Sequence, residues 1–293
     1  MPLTFSPPAR PLFGVGLILV AMAILPFIDV LAKFLGQQGL PILIVVWARA
    51  LFGAAMTLPF ALRAQGARAF RPDWPLHHVA RAALLFSATW LFFQALKHLP
   101  IADALAIFFV NPLVIVLLSA LLLRETVGPD RWVAVAVGFV GTMIIIRPGM
   151  VDLNPGTLYA LGAGVALGSY FVMTRHIAGE ADAMVLTFQT SAIGAAVMTL
   201  ALPWIWITPS GTQWLMLAAI GVIATVGHVF ITRAYEQAEA SLLAPLAFSE
   251  IIMATVVGWW FFNDLPDRWT LLGVAVLIAS AIYISLREHR TAH

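Results

Sequence analysis

The apolar residues of this chain form long uninterrupted runs rather than an amphipathic period. Stretches of roughly 20 apolar residues, long enough for a helix to cross a lipid bilayer, follow one another almost back to back. We predict ten spans, at 11–34, 41–62, 78–97, 101–123, 131–147, 156–175, 184–206, 213–234, 241–262 and 269–286. The strands of a membrane barrel would instead alternate in polarity over about ten residues. The pattern therefore predicts an all-α polytopic membrane protein.

Composition supports this class and excludes several others. The 293 residues are 61% hydrophobic and only 10% charged, whereas soluble domains carry about 25% charged residues. The chain has no cysteine, which excludes disulfides and thiolate metal sites. The formal charge of +2 comes largely from loop arginines, so we expect no nucleic-acid partner. Neither a glycine-rich phosphate loop nor a polar cluster typical of a membrane-embedded enzyme is found, so we expect no catalysis, no metal and no cofactor.

The chain contains an internal sequence repeat. Pro129-Asp130-Arg131-Trp132 recurs as Pro266-Asp267-Arg268-Trp269, with long apolar runs on both sides of each copy. A second pair of similar segments, 52–58 and 193–200, is separated by nearly the same number of residues as the first pair. Such self-similarity predicts two five-helix repeats, at 1–148 and 149–293, which together form one membrane domain.

Five spans in each repeat is an odd number, so the second repeat must enter the membrane with opposite polarity. Inverted repeats recur in secondary transporters, where the substrate site lies near the bilayer midplane between the repeats. Lysine and arginine favour cytoplasmic loops, and this rule predicts that both termini are cytoplasmic. The outer side then holds only Lys33, Lys97, Arg147 and Arg268 among the loop cations.

Two short motifs resemble those of a known transporter family. They are Trp47-Ala-Arg49-Ala-Leu-Phe-Gly53 in the second span and Leu123-Arg-Glu125 at the end of the fourth. With the span count and the repeat, they make the chain resemble the drug/metabolite transporter superfamily and its EamA-type ten-helix exporters, in particular YddG-like exporters of aromatic amino acids. Arg124 stands where these proteins usually have glycine, and Asp264 is the counterpart of Glu125 in the second repeat. The likeness covers residues 12–287.

The resemblance implies a secondary exporter of amino acids and related small metabolites, including aromatic ones, that works by alternating access in the bacterial inner membrane. Its implied partners are a small-molecule substrate and the lipid bilayer, with the oligomeric state left open. A multidrug exporter of aromatic cations is the alternative function.

Polar residues inside the spans are candidates for the cargo site, because they are costly in lipid and usually face a cavity or a partner. Alignment of the repeats sets Asn111 against Glu250 and Thr89 against His228, at matching depths. The alternative is that Asn111 and His228 only hydrogen-bond neighbouring helices. We predict substrate-binding positions on the pseudo-twofold axis at Asn111, His228, Phe248 and Glu250.

A second set of candidates lies in the third and sixth spans. Phe86, Trp90 and Gln94 are spaced at i, i+4 and i+8, which places them on one side of a helix. We predict that they form a wall of the cavity where a planar cargo stacks, with Tyr170 as a weaker candidate. The alternative is an aromatic stripe that serves packing or lipid contact.

Asp29 and Arg49 form a third set, in the outer parts of the first and second spans. Unpaired charges at such depth are expensive, so we predict a structural ion pair between the two side chains. The functional alternative is that Arg49 holds a substrate carboxylate or a gate.

Overall fold

The computed structural model describes residues 11–71, 75–122, 128–147, 154–176, 183–237 and 243–291. Within these ranges the chain is helical apart from short connections, and no strand is formed. The helices before residue 150 are α1 (Pro11–Ile24), α2 (Pro26–Gln37), α3 (Ile42–Gln65), α4 (Pro75–Ala95), α5 (Ile101–Phe108), α6 (Asn111–Leu122) and α7 (Pro129–Ile146).

The later helices are α8 (Pro155–His176), α9 (Ala183–Ile205), α10 (Gly211–Gln237), α11 (Ser249–Phe262) and α12 (Arg268–Thr291). Two 3-10 helices, Gly66–Phe70 and Ala244–Phe248, precede α4 and α11.

Among the described residues, seven helical segments are long and apolar enough to cross a membrane. They are Leu12–Gln37, Ile42–Phe70, Pro75–Ala95, Ile101–Leu122, Pro155–Thr174, Met184–Ile205 and Gly211–Ile231. The remaining predicted spans coincide with shorter apolar helical segments at Val135–Ile146, Leu246–Phe262 and Arg268–Ser280. Residues 123–127, which include the whole Leu123-Arg-Glu125 motif, lie outside the described residues.

Two of the spans are broken helices. The first is interrupted at Leu25, where Pro26 starts α2 and contributes no backbone N–H to the helical ladder. The fourth is interrupted between α5 and α6, at Phe109 and Val110. The side-chain amide Nδ2 of Asn111 donates to the Phe108 carbonyl at 3.0 Å and so satisfies one backbone group that the interruption frees.

The break between α5 and α6 meets the start of α11 in the interior. The rings of Phe109 and Phe248 stack with centroids 4.8 Å apart and an interplanar angle of 27°. Phe248 is the last residue of the 3-10 helix that leads into α11, so irregular backbone from distant parts of the chain converges at one place. Such backbone is tolerated within a membrane only where protein or a cavity surrounds it.

Glycines let the helices approach closely around this centre. A Cβ on Gly164 of α8 would lie 2.7 Å from the Phe108 carbonyl oxygen, and one on Gly168 would lie 2.9 Å from that of Asn111. A Cβ on Gly141 of α7 would likewise lie 3.0 Å from the carbonyl oxygen of Gly273 on α12. Small residues at such crossings are how membrane helices gain close packing without a hydrophobic driving force.

Candidate functional site

A cavity of about 350 Å³ lies among the helices. Its walls come from α2, α3, α4 and α5 before residue 150, and from α8, α9, α10 and α11 after it. The polar side chains on the wall belong to Asp29, Arg49, Thr57, Thr89, Tyr170, Thr187, Thr190, Ser191, Thr225, His228 and Glu250. The aromatic ones, apart from Tyr170, belong to Phe86, Phe92, Phe93, Phe108 and Phe171.

Arg49 is the cationic centre of the cavity. Its Nη1 donates to the Thr89 hydroxyl at 2.9 Å, and that hydroxyl donates in turn to the Leu85 carbonyl at 3.0 Å. The Asp29 carboxyl lies within electrostatic range of both Arg49 and Glu250. The cavity therefore offers one guanidinium and two carboxyl groups to a charged molecule.

The predicted ion pair between Asp29 and Arg49 is not formed at contact distance. The two ion pairs found between described side chains involve other residues, and Arg49 uses its Nη1 for Thr89. Asp29 is buried, with 7% of its surface exposed, and its carboxyl lies among the residues that face the cavity. Attraction between the two charges thus acts across the site rather than through a closed salt bridge.

Six of the sequence-predicted residues lie on the cavity wall. They are Asp29, Arg49, Phe86, Tyr170, His228 and Glu250. His228 retains accessible surface in the middle of α10 because it faces this space. The structure thus brings together candidates from six of the predicted spans.

Four predicted residues are not among those that line the cavity: Trp90, Gln94, Asn111 and Phe248. Trp90 instead packs edge-on against Tyr159, with ring centroids 6.3 Å apart. Each step of four residues on an α-helix advances about 40°, so the stripe that begins at Phe86 has turned away from the cavity by Gln94. Asn111 and Phe248 serve the helix breaks described above.

Hydroxyl groups on α9 are among the wall residues that the sequence analysis missed. Thr187, Thr190 and Ser191 are spaced at i, i+3 and i+4, a spacing that places them on one side of a helix. The Thr190 hydroxyl donates to the Leu186 carbonyl at 2.8 Å, which leaves its oxygen free to accept from a bound molecule. The helical spacing of these three hydroxyl residues could therefore have predicted this part of the cavity wall from the sequence.

Ion pairs join α2 and α7 to the segment between α11 and α12. Lys33 Nζ lies 2.7 Å from Asp264 Oδ2 and also donates to the Leu99 carbonyl at 3.3 Å. Arg147 Nη2 lies 2.6 Å from Asp267 Oδ2. Lys33 is one helical turn beyond Asp29, so these contacts lie at one end of the cavity.

The charge on Asp267 is favoured in the folded protein. Desolvation opposes ionisation, but hydrogen bonds from the Thr270 backbone and side chain, and the neighbouring Arg147, together outweigh it and hold the pKa of Asp267 below its usual value. The folded protein therefore favours the anionic form of Asp267.

Comparison with known families settles what kind of protein carries this cavity. The model of the EamA-like transporter family matches residues 12–147 and matches again at residues 154–286. The chain belongs to the EamA-like transporter family. It is therefore a multi-pass membrane transporter.

Three relatives show the range of this family. A riboflavin transporter of Vibrio cholerae is 30% identical over 284 residues, which cover 95% of this chain and 95% of that protein. An S-adenosylmethionine uptake transporter of Rickettsia felis is 25% identical over 279 residues, or 95% and 94% of the two chains. A pseudopaline exporter of Pseudomonas aeruginosa is 28% identical over 202 residues, or 66% and 69%.

A chain of known crystal structure shares the fold. It is 21% identical, has a TM-score of 0.67, and the match covers 98% of this chain and 100% of that one. The names of the relatives give S-adenosylmethionine, riboflavin and pseudopaline as cargo. They do not support the predicted resemblance to YddG-like exporters of aromatic amino acids.

Proposed function

We propose that this EamA-like protein is a secondary transporter of small amphipathic metabolites that works by alternating access in the bacterial inner membrane. The observation that carries the proposal is the cavity itself, whose wall combines Asp29, Arg49 and Glu250 with several phenylalanines. A concave site with a few convergent polar groups among apolar walls is the usual form of a small-molecule site.

The proposal includes two inverted five-span repeats at 1–148 and 149–293. Its support is that the family model matches the chain twice, once on each side of residue 150. Phe109 and Phe248, which correspond in the repeat alignment, also stack on each other. Inverted repeats place the cargo where broken helices meet near the midplane, which fits the position of Glu250 at the start of α11.

The charges suggest the class of cargo. Asp29 and Glu250 would attract an amine or another cationic group, and Arg49 would attract a carboxylate. Phe86, Phe92 and Phe171 offer faces for an apolar or planar group. Amino acids and related metabolites, including aromatic ones, have this combination of groups.

The relatives widen the choice of cargo. S-adenosylmethionine and riboflavin, named for two of them, each join a planar ring system to polar substituents. We propose export as the direction, which the pseudopaline exporter supports and the S-adenosylmethionine uptake transporter opposes.

A multidrug exporter of aromatic cations is the second candidate. Two carboxyl groups against one guanidinium favour it, because a purely cationic cargo would balance the excess of acidic groups. The distinguishing property is whether the cargo must carry an anionic group for Arg49.

Purified protein in proteoliposomes tests both candidates. Labelled phenylalanine, S-adenosylmethionine, riboflavin and tetraphenylphosphonium are measured in both directions against protein-free vesicles. The leading proposal expects movement of at least one of the first three, and the second candidate expects tetraphenylphosphonium alone. Absence of protein-dependent movement for all four would contradict both.

A further inference from the structure

Arg81 of α4 is a buried cation that the cavity described above does not include. Only 2% of its surface is exposed. Its Nε and Nη1 are buried and make no hydrogen bond, and among the described side chains no carboxylate forms an ion pair with it. Its Nη2 donates to the Tyr170 hydroxyl at 3.5 Å, and its Cζ lies 5.4 Å from the centre of the Tyr170 ring.

Such a guanidinium is poorly compensated. A hydrogen bond at 3.5 Å is weak, and a contact with an aromatic face replaces only part of the hydration that a buried cation loses. Arginine in this condition is an excellent partner for a carboxylate or phosphate, because its planar array of N–H donors matches their oxygen atoms. The unused donors on two of its nitrogen atoms are thus available to an anion.

The position of Arg81 connects it with the transport site. Leu85 and Ala88, at i+4 and i+7 on the same side of α4, line the cavity, and so does Tyr170. Thr89, the partner of Arg49, is eight residues further on, about 12 Å along the helix axis. Arg81 therefore lies beyond the cavity, on the side away from the Lys33–Asp264 pair.

We propose that Arg81 is a second anion-binding point on the transport route, which holds the carboxylate of the cargo before or after that group reaches Arg49. Tyr170 is the contact of the guanidinium when no cargo is bound, and it yields to the carboxylate as the cargo passes. The inference rests on the proposed transport of amphipathic metabolites and adds that the cargo includes an anionic group.

Thermal unfolding of the purified protein provides the first test. A structural role would make Arg81→Met less stable than the wild type. An anion-binding role expects a melting temperature that is unchanged or raised, because the substitution removes an uncompensated buried charge and keeps most of the volume. A fall of several degrees, with Arg63→Met on the exposed end of α3 unchanged, would overturn the inference.

Transport in proteoliposomes provides the second test, with phenylalanine and phenethylamine as probes that differ by the carboxylate. Arg81→Gln should lower phenylalanine transport about tenfold and change phenethylamine transport little, because only the former offers an anion to the guanidinium. Arg81→Lys should recover part of the loss, and Arg63→Gln should resemble the wild type.

The outcomes separate this inference from the proposal beneath it. Equal effects of Arg81→Gln on the two probes, or no effect on either, would overturn the role of Arg81 and leave transport intact. Wild-type protein that moves phenethylamine alone would overturn the anionic cargo in favour of a cation exporter. Wild-type protein that moves neither probe would overturn this inference, while the proposed transport would still be decided by S-adenosylmethionine and riboflavin.

Discussion

Lys33 Nζ lies 2.7 Å from Asp264 Oδ2, and the same ammonium lies 4.7 Å from the centre of the Phe262 ring. The contacts tie the end of α2 to the segment that follows α11. Because Asp29 lines the cavity and is one turn away on α2, this pair lies near one end of the cavity. In a transporter with alternating access, such a contact would have to break when that end opens.

Asp264→Asn should make the cavity more accessible from this end. Loss of the charge pair favours the state in which the two segments are apart, so a cysteine at Ser191 should react faster with an impermeant reagent. We expect an increase of severalfold. Arg268→Gln is the control, because it removes a charge at the same end that forms no ion pair among the described residues. The same rate in both variants would mean that the pair is not a gate.

Phe86 and Trp90 offer a matched comparison on one helix. Phe86 lines the cavity, whereas Trp90 packs on Tyr159. Phe86→Ala should therefore weaken transport of aromatic cargo more than that of aliphatic cargo, since an aromatic pair contributes about 0.5–1.5 kcal/mol beyond area burial. Trp90→Ala should affect both kinds of cargo alike, through packing. Initial rates at matched protein amounts provide the measurement, and the reverse order of effects would restore Trp90 as the cargo contact.

Glu250→Gln keeps the shape of the side chain and removes its charge. If the carboxylate holds a cationic group of the cargo, transport of that cargo should fall about tenfold, as for loss of one charge-assisted hydrogen bond. The pH profile of transport should also change, because the glutamine does not titrate. Elution as a single folded species shows that the protein remains intact. Wild-type rates and profile in this variant would leave Glu250 as a residue that only joins helices.

Asp267 caps α12 and also bonds Arg147. Its Oδ1 accepts from the backbone N–H groups of Thr270 at 2.8 Å and Trp269 at 3.1 Å. Asp267→Ala should therefore cost about 1 kcal/mol of stability, whereas Asp267→Asn keeps a cap and loses only the charge. Unfolding in denaturant distinguishes the two variants, which would behave alike if the cap contributed nothing.

The same carboxylate gives a pH dependence with a definite sign. The folded state lowers its pKa from 3.8, so the stabilisation is complete above that pH. It is lost as the pH falls through the lower folded value and the Arg147 pair is neutralised. Asp267→Asn should lose less stability than the wild type between pH 5 and 3, roughly the window of this titration. Parallel losses in the two proteins would show that other groups dominate.

The orientation of the chain is a further prediction. Both termini should be cytoplasmic and the turn at 266–269 should be outside, because most loop cations then lie on the cytoplasmic side. The chain has no cysteine, so single cysteines at Thr4 and Arg268 report directly. An impermeant reagent on intact cells should label the second only, and the opposite pattern would invert the topology.

The sequence predicted the membrane class and the family because both rest on features that are local or repeated. Hydrophobic length decides which segments can span a bilayer, and the Pro-Asp-Arg-Trp repeat is visible without a structure. The charged members of the site, Asp29, Arg49 and Glu250, could also be found, since charges are rare in spans and need a reason to be there.

The predicted residues that do not line the cavity are explained by rotation about helix axes and by the positions of helix breaks. Trp90 and Phe86 look equivalent in sequence, but the drift of a 3.6-residue helix turns one toward Tyr159 and leaves the other on the cavity. Asn111 appeared to be a partner for cargo, yet the break before it makes its amide necessary for the Phe108 carbonyl. Arg81 is among the cations that the charge rule places on the cytoplasmic side, and only its burial in the structure sets it apart.

Asp29 and Glu250 reach the cavity from α2 and α11, helices that belong to opposite ends of the chain. A molecule that binds both carboxylates links those two helices for as long as it stays bound. Tighter binding to both carboxylates also opposes the separation of the two helices that would release the molecule. Transport turnover should therefore be greatest for compounds of moderate affinity. A cargo analogue with two cationic groups, long enough to engage both acids at once, should therefore behave as an inhibitor.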